Sequence, residues 1–339
     1  MLKDDSIDTT FVVMTDTHFA APGTGEDECY WNRVFLSRSS AIADSLVSTV
    51  KSLSPDFIIH CGDFTDASDM DSFRFGKEVM DRMERPYFIV LGNHDTWTEG
   101  IRRSIAPLFE HGPGDMFYYT RRLGGIRFVF LDCAYWIRKN GVESEGLDFD
   151  LYEKGIYADI GPTHDQLAWL QKELDLDHKT PTVIITHVPM HTKPTFSIGT
   201  LPHGKTPDGD RTKWNPAPWT EFVDGDIRLT RRFFIHDEAV KNIIDNVPNV
   251  IAVFAGHQHF ADITRDRNTV HCLTGSLYEY PFEVRLVRVC NDVLSISTVE
   301  LDNPVFKRDS LVAEWKNQWV AGNDTDRDFR MTIEVPTVP

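Results

Sequence analysis

Apolar runs alternate with helical patterns along the first part of the chain and predict a β-α-β-α-β succession. The runs typical of buried strands are TFVVMTD (10–16), DFIIHCGD (56–63) and YFIVLGNHD (87–95). Between the first two, apolar residues recur at helical spacing, at Ile42, Leu46, Val50 and Leu53. DSFRFGKEVMDRM (71–83) predicts a second helix. This succession is typical of a parallel sheet with helices packed on it.

The rest of the chain continues with strands and one clear helix. We predict strands at IRFVFLDCA (126–134), TVIITHVPM (182–190) and VIAVFAGHQH (250–259). The helix THDQLAWLQKELD begins after a predicted N-cap, Thr163. The last apolar runs, VHCLTGS, FEVRLVRVC and VLSISTVEL, predict antiparallel strands.

Three segments, 134–161, 190–235 and 303–339, depart from this alternation of strands and helices. Residues 190–235 are rich in proline and glycine, and we interpret them as a loop that covers a substrate. Residues 134–161 form a second insert, in which Tyr135 and Trp136 could reach a pocket rim. We therefore expect a catalytic domain over 1–302 and a C-terminal tail over 303–339 that packs on the core or on a partner subunit.

The charge balance restricts the partners. The 339 residues include 35 basic and 52 acidic side chains, for a net charge of −17. Such a surface disfavours extended nucleic acid and anionic membranes, although a bound metal pair would still attract an anionic substrate. The N-terminus lacks a signal-peptide pattern, and the five cysteines are scattered, so we expect a cytoplasmic protein with reduced thiols.

Polar side chains with metal-binding chemistry follow five of the predicted strands. In an open α/β sheet, ligands bind at the carboxyl ends of the strands. Carboxylate, imidazole and a single amide together suit divalent transition ions such as Mn, Fe, Co, Ni or Zn. Seven candidate ligands are too many for one ion and fit two ions that share a carboxylate: Asp16, His18, Asp63, Asn93, His187, His257 and His259. Two ions about 3.5–4 Å apart can bind a bridging hydroxide, as in phosphoester hydrolysis.

The same residues carry a resemblance to a known family. The blocks are DxH (16–18), GDxxD (62–66), GNHD (92–95), a single histidine (187) and GHxH (256–259). Their kind and order resemble the calcineurin-like metallophosphoesterases, and most closely the class III cyclic-nucleotide phosphodiesterase and glycerophosphodiesterase branch. The resemblance implies an α/β fold, a four-layer αββα sandwich with a dimetal site at the strand ends.

The resemblance also implies a role for each residue. Asp16, His18 and His259 would bind one metal ion, Asn93, His187 and His257 the other, and Asp63 would bridge them. His94 would stand beside the phosphate as the catalytic residue, without binding metal, and Asp66 would hydrogen-bond His94 and fix its orientation. Asp95 would turn back to hold its loop.

Residues that would contact the substrate are sought in the insert 190–235. A cation can contact a phosphate oxygen, and tryptophan can cover an organic group. The candidates are His191, His203, Lys205, Arg211 and Trp214. The alternative is a solvated loop whose tryptophans only anchor it. His60, inside a strand, is more typical of core packing than of a ligand.

We therefore expect a metal-dependent phosphodiesterase that hydrolyses a small phosphodiester, such as a cyclic nucleotide or a glycerophosphodiester, by attack of a metal-bridging hydroxide. A phosphomonoesterase or pyrophosphatase, or an esterase of phosphonates and organophosphates, would use the same metal ions. A non-catalytic scaffold should have lost ligands, and none of the seven is missing. A homo-oligomeric assembly stays open. Taken singly, each aspartate could instead be a helix cap.

Overall fold

The computed structural model describes residues 7–25, 35–193, 195–197, 220–223, 226–229, 233–313 and 320–333. Its strands are β1 (Asp8–Met14), β2 (Phe57–His60), β3 (Tyr87–Ile89), β4 (Tyr119–Leu123), β5 (Ile126–Phe130), β6 (Tyr135–Arg138), β7 (Glu143–Ser144), β8 (Tyr157–Gly161), β9 (Thr182–Ile185), β10 (Thr195–Ser197), β11 (Thr220–Val223), β12 (Asp226–Leu229), β13 (Val250–Ala255), β14 (Asp262–Asp266), β15 (Thr269–Leu273), β16 (Glu283–Cys290), β17 (Val293–Glu300) and β18 (Asp328–Thr332). Its helices are α1 (Ser39–Leu53), α2 (Met70–Arg82), α3 (Ile101–Ile105), α4 (Phe149–Glu153), α5 (His164–Asp175), α6 (Asp237–Asp245), α7 (Pro304–Ala313) and α8 (Asp324–Arg327).

Two six-stranded sheets form the centre of the molecule. The first has the order β18-β17-β16-β1-β2-β3, and the second has the order β14-β15-β13-β9-β5-β4. Strands β1, β2 and β3 run parallel in the first sheet, and β5, β9, β13 and β15 run parallel in the second. The predicted parallel strands are thus divided between two sheets, which a run of alternating strands and helices cannot show.

The two sheets pack face to face and carry helices on their outer faces. Alternate residues of β1 face opposite ways, because side chains alternate along a strand. Phe11 and Val13 pack between the sheets with Phe128 and Phe254 of the second sheet. Val12 and Met14 lie in the cluster that α1 and α2 cover. Helices α5 and α6 cover the second sheet. The predicted four-layer αββα sandwich is confirmed.

The helices form for the reasons that their sequences indicate. Ile42, Leu46 and Val50 of α1 are each at most 1% exposed, and burying such a side chain contributes roughly 1.5–3 kcal/mol. The predicted N-cap of α5 is confirmed, since the Thr163 side chain accepts a hydrogen bond from the Gln166 N–H at 3.2 Å. No helix among the described residues is long and apolar enough to span a membrane.

The last predicted strands each have an antiparallel partner, as expected, but they belong to two different sheets. Strands β16 and β17 pair antiparallel, as predicted, but β15, which contains VHCLTGS in part, runs parallel to β13 in the second sheet. Its antiparallel partner is β14. The tight reversal at Arg267, which has φ 53°, returns the chain beside β13.

The described part of 303–339 packs on the sandwich. Strand β18 is the edge strand next to β17, and Phe306 of α7 is 8% exposed within the α1–α2 cluster. The insert 190–235 contributes a separate three-stranded sheet, β10-β12-β11. The Lys193 ammonium group, at the start of this insert, contacts the Asp262 and Asp326 carboxylates.

Candidate metal centre

The five ligand loops are the loops that follow β1, β2, β3, β9 and β13, and they meet at one end of the sandwich. Three of these strands belong to the first sheet and two to the second. The backbone joins them directly: Asp16 N–H donates to Gly62 O at 2.9 Å, and Gly256 N–H donates to His187 O at 2.8 Å. Between the sheets, the His257 N–H donates to Asp16 Oδ2 at 2.9 Å, so the loops of both sheets share one space.

Most of the candidate ligands have an unusual backbone conformation. Asp16, His18, Asp63, His257 and His259 have φ between 40° and 71°. Residues other than glycine rarely adopt a positive φ. Such a conformation costs of order 1–3 kcal/mol per residue and persists only where the surrounding structure enforces it. The surrounding structure therefore holds the backbone of the ligand loops in this unfavourable conformation, and the conformation sets the direction in which these side chains point.

Glycines let the ligand loops approach each other. A Cβ atom on Gly92 would overlap the backbone and carboxylate of Asp63, and one on Gly256 would overlap Thr15 and the Asp16 carboxylate. Any larger residue would separate loops that must touch.

The first group of ligands combines two carboxylates and two imidazoles. Single ligand atoms of Asp16, His18, Asp63 and His259 all lie within 4.8 Å of one another. The His259 Nε2 atom is 3.1 Å from Asp16 Oδ1 and 3.3 Å from His18 Nε2. Side chains converging in this way can coordinate one cation.

The second group shares Asp63 with the first. Asp63, His187 and His257 also offer ligand atoms within 4.8 Å of one another. Asn93 completes the group, because its Oδ1 lies 3.2 Å from His187 Nε2 and 3.0 Å from His257 Nδ1. The structure therefore brings all seven predicted ligands together, with Asp63 between the two groups.

Partners behind the histidines fix which nitrogen faces the centre. His187 Nδ1 donates to the Cys61 carbonyl at 2.8 Å, and His18 Nδ1 is 3.2 Å from Asp66 Oδ1. His259 Nδ1 contacts the Glu279 carboxylate. In each case Nε2 is left to bind a metal ion. The sequence analysis missed Glu279, which lies in no motif.

Acidic side chains and imidazoles lie close together in the centre and shift each other's pKa values. Burial raises the pKa of Asp16, but the nearby His259 imidazole lowers it to about 2. Burial lowers the pKa of His187 and His259, whereas Asp63 raises that of His187 to about 9, and Asp16 and Glu279 raise that of His259 to about 10. The ionised carboxylates attract positive charge into a buried space.

Two divalent ions fit this donor set. Imidazole nitrogens and carboxylate or amide oxygens suit first-row transition ions, and a carboxylate between two groups is the usual bridge of a metal pair. The buried Cys61 thiol is a poor ligand here, since burial raises its pKa well above the usual value. Asp16, His18 and His259 would hold one ion, Asn93, His187 and His257 the other, and Asp63 both.

His94 lies beside the first group of ligands. Its ring centroid is 4.7 Å from that of His18 and 4.4 Å from that of Trp97. Its backbone N–H donates to Asp63 Oδ1 at 2.8 Å. His94 is 12% exposed, so one side of the ring remains open to a substrate.

Asp66 accepts a hydrogen bond from His94, as predicted, but through its backbone carbonyl and not through its carboxylate. His94 Nδ1 donates to the Asp66 backbone carbonyl at 2.7 Å, whereas the Asp66 carboxylate is 3.7 Å from this nitrogen and 3.2 Å from His18 Nδ1. The turn that contains Asp66 points its carbonyl at His94 and its side chain at His18. Asp66 thus contacts both histidines.

Two other residues behave as the sequence indicates. The Asp95 carboxylate accepts hydrogen bonds from the backbone N–H groups of Phe64, Thr65 and Gly92 and so holds its loop. His60 is buried, and its Nε2 lies 2.9 Å from Thr17 Oγ1. Neither belongs to a ligand group.

The predicted substrate residues are only partly described. The His191 ring packs against that of His271, with 5.2 Å between the centroids. His203, Lys205, Arg211 and Trp214 lie outside the described residues. Their contact with a substrate stays a prediction.

A cavity of about 440 Å³ opens beside Asn93 and His257. Its far side is formed by the insert 134–161, which we call the wall and which contains the three-stranded sheet β7-β6-β8. Trp136 lines the cavity, as predicted for the rim. Tyr135 instead packs under the Arg102 guanidinium, 4.0 Å from the ring centroid.

Comparisons with known proteins agree with this arrangement. A probable glycerophosphodiester phosphodiesterase, GpdQ, of Arcobacter nitrofigilis is 24% identical over 178 residues, which are 52% of this chain and 56% of that relative. The match therefore spans little more than half the length of that curated relative.

Solved structures share the fold. A dimetal phosphatase from Danio rerio has a TM-score of 0.60 at 17% identity, covering 87% of this chain and 98% of that chain. GAP50, the anchor in the inner membrane complex of Plasmodium, has a TM-score of 0.54 at 11% identity, covering 98% of this chain and 90% of that chain.

A family model matches most of the chain. The model of the calcineurin-like phosphoesterases matches residues 9–261, the span that contains all five ligand loops. The ligand loops supply histidines around two groups of candidate ligands, and the two groups share the Asp63 carboxylate. This chain belongs to the calcineurin-like phosphoesterase family.

Proposed function

We propose that the protein hydrolyses a small phosphodiester at this centre. The observation that carries the proposal is the division of the site into two sides. His94 lies next to His18, at the first ligand group, and the cavity opens from Asn93 and His257, at the second. A phosphodiester has two organic groups, so one can leave beside His94 while the other occupies the cavity.

The residues of the chain have separate tasks in this reaction. Two divalent ions, when bound, supply Lewis-acid stabilisation and a nucleophilic water at neutral pH. The Asp63 carboxylate and the imidazoles of His187, His257 and His259 would hold the two ions in place. The His94 Nδ1–H donates a hydrogen bond to the Asp66 carbonyl, so in the imidazolium form the Nε2–H is the group that would give its proton to the leaving oxygen.

The relative from Arcobacter nitrofigilis supports a phosphodiester as the substrate, since that protein is named as a probable glycerophosphodiester phosphodiesterase. A phosphomonoesterase or pyrophosphatase, and an esterase of phosphonates or organophosphates, would use the same ligands. A binding role without catalysis, of the kind that an anchor protein has, would not need His94 beside an intact ligand set.

The test is to compare a diester with a monoester on the same enzyme. The protein is stripped with a chelator and reloaded with Mn²⁺, and hydrolysis of bis(p-nitrophenyl) phosphate and p-nitrophenyl phosphate is measured side by side. We expect a higher kcat/KM for the diester. A preference for the monoester would overturn the proposal in favour of a phosphatase. No turnover of either, with two ions bound per chain, would contradict hydrolysis of this class of ester.

A further inference from the structure

A row of aromatic side chains leads from His94 to the surface of the wall. The Trp97 ring lies 4.4 Å from that of His94, centroid to centroid, and the Phe149 ring of α4 lies 5.9 Å from that of Trp97. Phe149 is 53% exposed, so a large part of its apolar surface is open to solvent. Tyr152 of the same helix lines the cavity. Helix α4 therefore borders both the His94 side and the cavity side of the site.

The backbone that carries Trp97 is fixed by contacts with the wall. The Thr96 carbonyl accepts a hydrogen bond from the Leu147 N–H at 3.2 Å. A Cβ atom on Gly146 would overlap the Glu99 backbone, so the wall lies directly against the segment that follows Trp97. An aromatic surface that is already ordered loses little conformational entropy when a ligand covers it.

The core holds the same segment from its other side. The Thr98 N–H donates to Ser68 Oγ at 3.1 Å, and the Thr98 hydroxyl donates to the Ser68 carbonyl at 3.2 Å. Phe149 is the first residue of α4, whose N-cap is Asp148, and the Asp148 carboxylate accepts a hydrogen bond from the Leu151 N–H at 3.1 Å. The backbone on both sides of the aromatic row is thus hydrogen-bonded before any ligand binds.

The leaving group of a phosphoester would lie against this row. In the proposed function the leaving oxygen takes its proton from His94, so the carbon attached to that oxygen lies next to the His94 ring. The rings of Trp97 and Phe149 continue outwards from there. An apolar group that covers them removes apolar surface of both partners from water, which favours binding in proportion to the area. A strongly hydrated group would gain no such contribution.

We propose that Trp97 and Phe149 form a subsite for an apolar leaving group, above all an aromatic one, of the phosphoester held at the metal centre. This inference rests on the proposed function, since it names the class of alcohol or phenol that leaves from that centre. Phe149 contacts the leaving group, and Trp97 contacts both the leaving group and His94. The cavity holds the group that stays on the phosphate.

The test uses two diesters whose leaving groups differ in apolar area. Methyl phenyl phosphate and methyl 2-naphthyl phosphate both release the aryl oxygen, because an aryloxide leaves far more readily than methoxide. On the Mn²⁺-loaded enzyme we expect kcat/KM to be about tenfold higher for the naphthyl ester. In Phe149→Ala this ratio should fall to about twofold or less, and Phe149→Leu should retain part of it. The intrinsic reactivity of the esters cancels, because the same two esters are compared in each variant.

Two control variants locate the effect. Tyr152→Ala changes the cavity side of α4 at a residue that is 50% exposed, and Leu176→Ala changes an exposed residue after α5. Both should keep the wild-type ratio. A ratio that falls at least as far in Tyr152→Ala as in Phe149→Ala would place the leaving group in the cavity and overturn the inference. An unchanged ratio in Phe149→Ala would overturn it as well.

Failure of the proposed function would be seen separately. If only monoesters are hydrolysed, the phosphodiesterase is refuted, and phenyl phosphate and 2-naphthyl phosphate replace the diesters with the same expected ratios. Calorimetry gives a readout without turnover: (2-naphthylmethyl)phosphonate should bind about tenfold more tightly than benzylphosphonate, and Phe149→Ala should lose this difference. Equal affinities of the wild-type enzyme for the two phosphonates would overturn the inference, whether or not a diester is hydrolysed.

Discussion

The ligand loops and the wall enclose the same space but are built differently. The ligand loops hold their side chains through backbone geometry, with five candidate ligands at positive φ and loops in direct backbone contact. The wall is joined to the core by a side chain: the buried Arg102 guanidinium, which pairs with Asp132 at 3.0 Å, donates hydrogen bonds to the Ala134 and Glu145 carbonyls of the wall. The ligand loops therefore fix the positions of the candidate metal ligands. In the wall, which lines the cavity, we expect substitutions to change which substrate is bound.

The largest effect is expected at the residue that both ligand groups share. Asp63→Ala removes the carboxylate between them, so we expect loss of both metal ions and of activity by more than about 10³-fold. Metal content by mass spectrometry and hydrolysis of bis(p-nitrophenyl) phosphate check this. Near-normal activity would refute the assignment of the ligand loops.

His94→Ala should separate catalysis from metal binding. His94 lies outside the two groups that share Asp63, although its ligand atom is within 4.8 Å of those of His18 and Asp66. We therefore expect the variant to keep both ions while kcat falls by about 10²–10⁴-fold, the usual contribution of a general acid. His164→Ala, a surface histidine that is 68% exposed, is the control. Loss of metal in the His94 variant would place this residue among the ligands.

Loss of the side chain that joins the wall to the core should lower the stability of the protein and leave the metal centre intact. Arg102→Met leaves the fully buried Asp132 without its cation, and we expect the free energy of unfolding to fall by about 3–5 kcal/mol. Urea denaturation measures the change. If the variant folds normally but loses its metal ions, the proposed division between loops and wall is wrong.

Glu279→Gln tests the partner behind a ligand. The substitution keeps the shape but removes the charge that faces His259 Nδ1, so metal affinity should fall by about 10–100-fold. Competition with a chelator measures it, with the exposed Glu238→Gln as control. Unchanged affinity would mean that Glu279 only fills space.

The smallest effect should come from a site remote from both regions. Burial raises the pKa of the Asp177 carboxyl, but hydrogen bonds from the Thr180 hydroxyl and N–H, from Arg122 Nη2 and from Lys179 N–H outweigh it and hold this pKa below the usual value. A lowered folded pKa stabilises the fold above about pH 3.9, and this contribution is lost as the pH falls towards the folded pKa. Asp177→Asn should cost about 1–2 kcal/mol at pH 7 and less below pH 4, with unchanged metal content. A pH-independent cost would contradict this.

The ligand loops could be predicted from the sequence because each is local. Asn93 and His94 directly follow a strand, and parallel strands present their carboxyl ends at one edge. Glu279 could not be predicted, since it reaches His259 from 20 positions further along the chain with no motif around it. Residue type also does not reveal that Asp66 offers its carbonyl to His94.

The wall could be predicted only as an insert. The approach of Trp136 to Tyr157 depends on the pairing of β6 with β8, which includes an irregularity between Ile137 and Arg138. The division of the parallel strands between two sheets likewise depends on the passage of the chain from β3 in the first sheet to β4 in the second, not on the composition of the strands. Such non-local pairing leaves little trace in periodicity.

The position of the ligands between two sheets has a mechanical consequence. His18 and His259 are separated by 241 positions in the sequence and belong to different sheets. Two metal ions bound by loops of both sheets would stabilise the folded state, because the unfolded chain does not hold residues 241 positions apart together to bind them. Metal supply would then regulate not only turnover but also how firmly the two halves of the sandwich stay together.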